Sequence, residues 1–362
     1  MLKVLPHLVS ERLRPYIDAD DREVLAAYVP AQALFHDHGL DEAMLADVAA
    51  AIAERRPGDG IFGLGLEIGS GSIKLLARQW RGCEGTTLAN IKLQVPARHE
   101  TGTYVVALDR LIDVFSTGLR LIPPGQLDVA APEGLFAGFA APEDFACVYG
   151  THALRVLARE DGAGPPARVR VLTGDEEGLT AFQSIVPEVE RAHPGVVAVE
   201  IGSGSTEIVR TDGDGRPWPL TLGLGGKTAD PHLGALRRFM ATGSATPRIR
   251  EVLESSDEAV TAFFAPGMPE PTRVFINPSR ASVAFRAFAR ARQGEGDMVA
   301  LDEDLVETYR RKHGADRFGA KAAILMAILR GLGVAGFREG RRGGLKMGVA
   351  ALLARGLARF RE

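Results

Sequence analysis

The sequence predicts an α/β protein built from two similar units in tandem, preceded by a helical N-terminal segment. A repeated motif is the first reason, because LEIGSGSIKLL at residues 66–76 returns as VEIGSGSTEIV at residues 199–209. Each copy also belongs to a run of strands that is followed by segments of helical period. The length of 362 residues, at about 150 residues per domain, favours two domains.

Composition excludes several classes of protein. Apolar residues make up 46% of the chain and the net charge is −3, which indicates a soluble globular protein without a positive field for nucleic acid. No stretch reaches the roughly 18 apolar residues of a membrane span, and an N-terminus that breaks at Pro6 is a poor signal peptide. Two cysteines, Cys83 and Cys147, favour thiols in a cytoplasmic protein. We expect no nucleic-acid or membrane partner, and a homodimer is left open.

The first half of the chain divides into a helical part and a mixed part. Residues 1–60 are predicted to be helical, because DADDREVLAAYV and LDEAMLADVAAAIAERR carry apolar residues at helical spacing. The strands IFGLGLEIG, SIKLLARQW and TTLANIKLQV follow, and then the helix TYVVALDRLIDVFSTGLRLI, the strand FACVYG and the helix THALRVLARE. These elements place a first domain at residues 61–170.

A second cycle occupies residues 171–343. The strand ARVRVLT and the helix DEEGLTAFQSIV lead into the repeated motif, which starts at GVVAVEIGSGSTEIV, and its strands continue through an Asp-Gly turn into PWPLTL. Helices are predicted for DPHLGALRRFM, TPRIREVLESSDEAVTAFF, PSRASVAFRAFARARQ, DLVETYRRKH and GAKAAILMAILRGL, with the strand TRVFIN among them. The boundary between the two domains is predicted near Val171.

The turn inside each repeated motif has the composition of a phosphate-binding turn. Glycines let backbone N–H groups approach a ligand closely, and serine hydroxyls add donors. A carboxylate at the strand end suits a Mg²⁺ ion that bridges phosphate oxygens. Ordinary Gly-Ser hairpins are the alternative, which the second copy of the motif disfavours. The candidate phosphate-binding residues are Gly69, Ser70, Gly71, Ser72, Gly202, Ser203, Gly204, Ser205 and Thr206.

The two motifs resemble the phosphate loops of the actin/hexokinase/Hsp70 superfamily. Within it they are similar to the exopolyphosphatase and guanosine pentaphosphate phosphohydrolase family, which has D-I-G-S-N-S and D-I-G-G-G-S-T-E. GTHALR at 150–155, TGDEEG at 173–178 and GFREG at 336–340 resemble three further family motifs in the family's order. The resemblance covers about residues 61–345. It implies two ribonuclease-H-like (actin-like ATPase) domains around a central cleft, with a C-terminal helix at 344–362 returning to the first.

The resemblance also implies roles for single residues. Glu177 is the expected general base, Arg155 the expected phosphate ligand, and Glu67, Glu200 and Glu207 the expected Mg²⁺ ligands. The residues alone leave alternatives. The DEE sequence is also a favourable first turn of a helix, and Arg155 suits an exposed helix surface. The odd spacing of Glu200 and Glu207 puts them on opposite strand faces unless the glycine turn resets the register.

The implied function is a Mg²⁺-dependent phosphohydrolase that releases terminal phosphate from inorganic polyphosphate or a related phosphoanhydride. Both family aspartates are glutamates here, Glu67 and Glu200, and a shift of about 1 Å in a reacting group can cost about 10²-fold in rate. The alternative is therefore a non-catalytic sensor that binds a phosphoanhydride, and guanosine pentaphosphate hydrolysis is a further one. A kinase of the superfamily is disfavoured, because INPSRAS at 276–282 replaces the family's G-G-T stretch.

Overall fold

The computed structural model describes residues 10–17, 24–36, 39–56, 60–69, 71–81, 84–95, 101–119, 145–160, 169–226, 229–277, 280–294, 298–313 and 317–340. The chain divides into two compact units between Leu172 and Thr173. Each unit contains one six-stranded sheet together with helices. The predicted α/β class is confirmed.

The first unit is built on a mixed sheet with the strand order β1-β6-β5-β4-β7-β8. Strands β4, β5 and β6 form an antiparallel meander, whereas β7 runs parallel to β4 and β8 parallel to β7. The elements of this unit are β1 (Leu25–Val29), α1 (Ala31–Leu34), β2 (Phe35–His36), β3 (Gly39–Leu40), α2 (Glu42–Glu54), β4 (Ile61–Ile68), β5 (Ser72–Arg81), β6 (Glu84–Gln94), α3 (Thr101–Leu119), β7 (Phe145–Gly150), α4 (His152–Glu160) and β8 (Arg170–Val171).

The second unit has a sheet with the order β11-β10-β9-β12-β14-β13. Strands β9, β10 and β11 are again an antiparallel meander, and β12 and β14 continue it in parallel. The elements are α5 (Gly174–Ile185), β9 (Val196–Ile201), β10 (Thr206–Thr211), β11 (Pro217–Leu222), α6 (Leu233–Thr242), α7 (Pro247–Arg250), α8 (Asp257–Phe263), β12 (Arg273–Ile276), α9 (Arg280–Gln293), β13 (Val299–Ala300), α10 (Glu303–His313), α11 (Arg317–Gly331) and β14 (Gly336–Glu339).

Both sheets share one five-stranded core. The core consists of β4 to β8 in the first unit and of β9, β10, β11, β12 and β14 in the second. When these five strands are numbered along the chain, their order in the sheet is third, second, first, fourth, fifth, and only the second strand is antiparallel to the others. This order and this antiparallel second strand are the features of a ribonuclease-H-like sheet. The prediction of two ribonuclease-H-like units in tandem is therefore confirmed by the strand order itself.

The N-terminal segment is only partly helical. Helix α2 forms as predicted and packs against α3. The helical prediction is wrong for Leu25–Val29, which is β1 and pairs in parallel with β6, Leu25 beside Ala89. A short apolar run such as LAAYV fits a buried strand as well as a helix. Pairing with a strand some sixty residues away decides between them, and local spacing cannot report it.

The C-terminal helix at 344–362 lies outside the described residues, so its return to the first domain stays a prediction. Within the described ranges, no helix is long and apolar enough to cross a membrane.

Candidate phosphate and metal site

The first acid–glycine turn joins β4 to β5 and is closed by its own backbone. The N–H of Gly69 donates to the carbonyl of Ser72 at 3.1 Å, and the N–H of Val95, after β6, donates to the carbonyl of Gly71 at 3.3 Å. A methyl group added to Gly69 would lie 3.3 Å from the Ser72 carbonyl oxygen, a contact that side chains rarely make. These predicted phosphate-binding residues form one compact turn. Ser70 lies outside the described residues.

Glu67, the acid of the first turn, is buried against a lysine. It lies opposite Lys74 in the antiparallel register of β4 and β5, and Nζ of Lys74 forms an ion pair with Oε1 of Glu67. Glu67 is 3% exposed, and among the described residues its Oε2 has no hydrogen-bond partner. The lysine already balances the carboxylate charge that a metal ion would otherwise balance. The role of Glu67 as a metal ligand stays a prediction.

The GTHALR motif begins α4 beside the first turn. The backbone N–H and the Oγ1 hydroxyl of Thr151 both donate to the carbonyl of Ile68, each at 3.1 Å. Arg155 is buried, and its Nη1 donates to the carbonyl of Leu172 at 3.1 Å. The guanidinium therefore holds the backbone at the end of the first unit rather than lying on an exposed helix surface. Its contact with phosphate stays a prediction.

The second turn joins β9 to β10 and closes in the same way. The N–H of Gly202 donates to the carbonyl of Ser205 at 2.8 Å. Ser203 and Gly204 form the tip of the turn and are half-buried, whereas Ser205 is buried. The predicted phosphate-binding backbone of the second unit is thus the tip of a tight hairpin.

The loop after β11 supports this second turn from one side. The N–H of Gly226 donates to the carbonyl of Gly202 at 3.1 Å. A methyl group added to Gly225 would lie 2.5–2.6 Å from backbone atoms of the two tip residues. Thr206 is fully buried and its hydroxyl donates to the carbonyl of Leu224, so its contact with phosphate stays a prediction. The loop was not among the predicted site elements, although its GLGG sequence at residues 223–226 favours close backbone packing.

Glu200 and Glu207 lie directly opposite each other on neighbouring strands. The register of β9 and β10 pairs the two residues, so the glycine turn does reset the register and both side chains leave the same face of the sheet. Residues opposite each other on antiparallel strands have Cβ atoms about 4.5–5.5 Å apart, and like charges there repel. A cation between the two carboxylates would relieve that repulsion.

Helix α5 packs on the face of the sheet that carries the two acids. Val196 and Ala198 of β9 and Val209 of β10 form a buried cluster with the apolar side of α5. Because side chains alternate along a strand, Glu200 and Glu207 continue the same face. The helix of the predicted general base and the predicted metal-binding acids are therefore neighbours in one unit.

Two glycines bring α5 close to the strands. A methyl group added to Gly174 would lie 2.7 Å from the side chain of Thr221, and one added to Gly178 would lie 3.7 Å from the Cβ of Glu207. Glu177 precedes Gly178 and is 7% exposed. The candidate base thus belongs to the helical turn that contacts the strand of Glu207.

The three acids of the DEE sequence have different environments. Glu176 forms a capping box with Thr173, with bonds of 2.9 and 3.2 Å. Asp175 accepts a hydrogen bond from the hydroxyl of Ser255 at 2.6 Å. These two acids serve the start of the helix and its attachment to the sheet. Glu177 is the buried one of the three, which is where the family resemblance places the general base.

Two residues near the acidic pair were not predicted. Asn277 follows β12, where its N–H donates to the carbonyl of Val199 at 3.2 Å and its Nδ2 donates to Oε1 of Glu200 at 2.8 Å. Lys321 of α11 donates to the carbonyl of Ile201. Their partners are 77 and 120 residues away along the chain. No local pattern could have indicated either contact.

The carboxylate oxygens of the second unit are the type of ligand that a hard cation such as Mg²⁺ prefers. Mg²⁺ is usually bound by one or two carboxylates together with substrate phosphates and water, and Glu200 and Glu207 offer two carboxylates beside a turn suited to phosphate. Across the described ranges, no group of three or more His, Cys, Asp or Glu side chains could hold a metal ion. Two carboxylates, together with oxygen atoms of a bound phosphate, are a donor set that Mg²⁺ accepts.

Fold and site together define a protein with two ribonuclease-H-like units, each with an acid–glycine turn. No family model and no curated protein matches the chain. The solved structures similar to it include an exopolyphosphatase from Cytophaga hutchinsonii, with 13% identity, a TM-score of 0.49, and coverage of 82% of this chain and 98% of that one. A Ppx/GppA family member from Aquifex aeolicus has 14% identity, a TM-score of 0.44, and coverage of 84% and 100%.

A nucleoside triphosphate hydrolase structure from Neospora caninum is also similar, with 11% identity, a TM-score of 0.41, and coverage of 88% of this chain and 96% of that one. The first two structures carry the names of the family that the sequence motifs resemble. All three TM-scores lie below 0.5, so the strand order of the two sheets, rather than these similarities, defines the fold.

Proposed function

We propose that the chain is a Mg²⁺-dependent phosphohydrolase of the exopolyphosphatase and guanosine pentaphosphate phosphohydrolase family. It would release the terminal phosphate from inorganic polyphosphate or a related phosphoanhydride. The observation that carries the proposal is the placement of Glu200 opposite Glu207 beside the second turn, on the sheet face that the helix of Glu177 covers. This hydrolysis uses a turn that binds phosphate, a pair of carboxylates that binds a cation, and a further buried carboxylate.

In the proposed reaction, backbone N–H groups at the tip of the second turn bind phosphate oxygens, and Glu200 and Glu207 hold the cation. When bound between these acids, Mg²⁺ would neutralise part of the charge on the phosphate oxygens. Glu177 accepts a proton from a water molecule as the water oxygen bonds to the terminal phosphorus. The bond from that phosphorus to the bridging oxygen breaks, and the electron pair leaves with the shortened chain.

Phosphate release tests the proposal directly. The protein is offered polyphosphate, guanosine pentaphosphate and ATP with Mg²⁺, and free phosphate is measured. We expect release from polyphosphate by the wild type. Glu177→Gln should lower turnover by about 10²–10⁴-fold, because the amide cannot accept the proton of water. Binding of polyphosphate by this variant, measured by calorimetry, should be retained.

The neighbouring acid provides a matched control. Glu176→Gln makes the same chemical change one residue away, and a glutamine still completes a capping box. We expect this variant to turn over at the wild-type rate. Equal losses in the two variants would contradict the role of Glu177, and a wild type that is inert toward all three substrates would contradict the enzyme.

A second candidate function is a sensor that binds a phosphoanhydride without cleaving it. The ion pair between Lys74 and Glu67 favours it, because the acid that the resemblance assigns to metal in the first turn is already neutralised. Polyphosphate binding in calorimetry, without phosphate release from any of the three substrates, would support the sensor.

A further inference from the structure

Glu200 is held by a residue from the neighbouring strand. Nδ2 of Asn277 donates to Oε1 of Glu200 at 2.8 Å. The contact forms because β12 runs parallel to β9 with Ile276 beside Val199, so that Asn277, the residue after β12, lies beside Glu200, the last residue but one of β9. A side-chain amide that donates to one oxygen of a carboxylate restricts the orientations that the group can adopt.

The backbone of Asn277 is itself held from both sides. Its N–H donates to the carbonyl of Val199 at 3.2 Å, and the carbonyl of Ile276 accepts from the N–H of Gly340 at 2.9 Å. Phe275 belongs to the buried cluster under α5, and alternation along the strand puts Asn277 on the same face. The amide is therefore directed toward the acidic pair before any ligand binds.

We propose that Asn277 is a positioning residue that holds the Glu200 carboxylate in the orientation that binds Mg²⁺, an inference that rests on the proposed function. The reason lies in the length of the acid. A glutamate has one more rotatable bond than an aspartate, so its carboxylate reaches more positions and loses more freedom when it is fixed. The hydrogen bond from Asn277 selects one of those positions in advance.

Mg²⁺ affinity of the metal-free protein, measured by calorimetry, tests this role without turnover. Asn277→Leu removes the donor and keeps a similar volume. We expect the dissociation constant for Mg²⁺ to rise by about 10- to 100-fold, as when partners of metal ligands are removed. Asn90→Leu is the matched control, since Asn90 is a half-buried asparagine on β6 of the first unit. It should leave the dissociation constant unchanged.

A second background separates positioning from a general effect on the fold. Glu200→Asp withdraws the carboxylate from the amide and should weaken Mg²⁺ binding by itself. In that background Asn277→Leu should add little further loss, because residues that act through one contact are not additive. Losses that multiply in the double variant would show that Asn277 acts independently of Glu200, and would overturn the proposal.

The remaining outcomes are distinguishable. If Asn277 served only the fold, Asn277→Leu would lower the thermal midpoint without Mg²⁺ and leave the dissociation constant unchanged, which would overturn the positioning role alone. A wild type that binds no Mg²⁺, either alone or in the presence of polyphosphate, would overturn both this proposal and the metal-dependent function.

Discussion

The two acid–glycine turns are closed by the same backbone hydrogen bond but differ in the charge of the residue opposite the acid. In both, the first glycine donates to the residue three positions on, and the flanking strands pair antiparallel. Lys74 lies opposite Glu67 in the first unit, whereas Glu207 lies opposite Glu200 in the second. The two partners occupy matching positions in LEIGSGSIKLL and VEIGSGSTEIV. One position of a shared motif thus places either a lysine or a second acid opposite the acid of the turn.

The residues that follow the third strand of each meander support the turn, and their contacts differ between the two units. In the first unit, the N–H of Val95 reaches the carbonyl of Gly71. In the second, Gly226 bonds to Gly202 and Gly225 packs directly against the tip. The second turn has no room for a side chain at Gly225, so packing fixes the position of its backbone. Charge and packing together make the second turn the stronger candidate for a bound ion and phosphate.

The largest effect is expected when the second turn receives the charge pattern of the first. Glu207→Lys places a lysine opposite Glu200, as Lys74 lies opposite Glu67. We expect Mg²⁺ affinity to fall by more than about 100-fold, since removing a mere partner of a ligand costs about 10- to 100-fold. Calorimetry measures the affinity. The wild type should also gain about 2.7 kcal/mol of stability at Mg²⁺ 100-fold above its dissociation constant, and the variant should not.

The first turn supplies the control for that change. Glu67→Gln removes the acid that Lys74 already balances, so the affinity for Mg²⁺ should fall much less than in Glu207→Lys. A comparable loss of affinity in Glu67→Gln would mean that both turns bind the ion, and the electrostatic contrast between them would have no functional meaning.

A smaller effect, on stability, is expected at the lysine of the first turn. Lys74→Met leaves Glu67 buried beside a neutral side chain. Breaking a buried pair from one side costs about 3–5 kcal/mol. We expect about 3 kcal/mol, the lower end of that range, because the side chain of Lys74 is 29% exposed. Urea unfolding measures the change.

Lys92 lies opposite Lys74 on β6 and is exposed, which makes Lys92→Met the matched control. Its loss should cost at most about 1 kcal/mol, since exposed charges contribute little. If both variants unfold at the same urea concentration, the pair with Glu67 contributes nothing to the fold.

The smallest effect is expected under the second turn. Gly225→Ala forces a methyl group against backbone atoms of the tip, which should cost about 1–3 kcal/mol and weaken polyphosphate binding. Gly234→Ala is the control, because no heavy atom lies within 4 Å of the added methyl and alanine favours a helix such as α6 by up to about 1 kcal/mol. Thermal unfolding compares the two. A Gly225→Ala variant as stable as Gly234→Ala would contradict the packing difference between the turns.

The sequence alone was sufficient where structure depends on near neighbours. The two turns, the start of α5 to within one residue of Asp175, and most helices and strands of the second unit follow from glycine spacing, acidic helix starts and apolar periodicity. The place of Lys74 opposite Glu67 could also be predicted from the sequence, since aligning the two motifs puts Lys74 at the position of Glu207.

The tertiary structure decided the rest, because it depends on strands that are distant in sequence. The two turns are local features, because each is closed by a hydrogen bond between its own residues. The length of the second turn also sets the pairing of Glu200 with Glu207. The strand at Leu25–Val29 and the contact of Asn277 with Glu200 instead arise from parallel pairing between separate segments. Parallel neighbours are chosen by the packing of a whole sheet, and no local spacing records that choice.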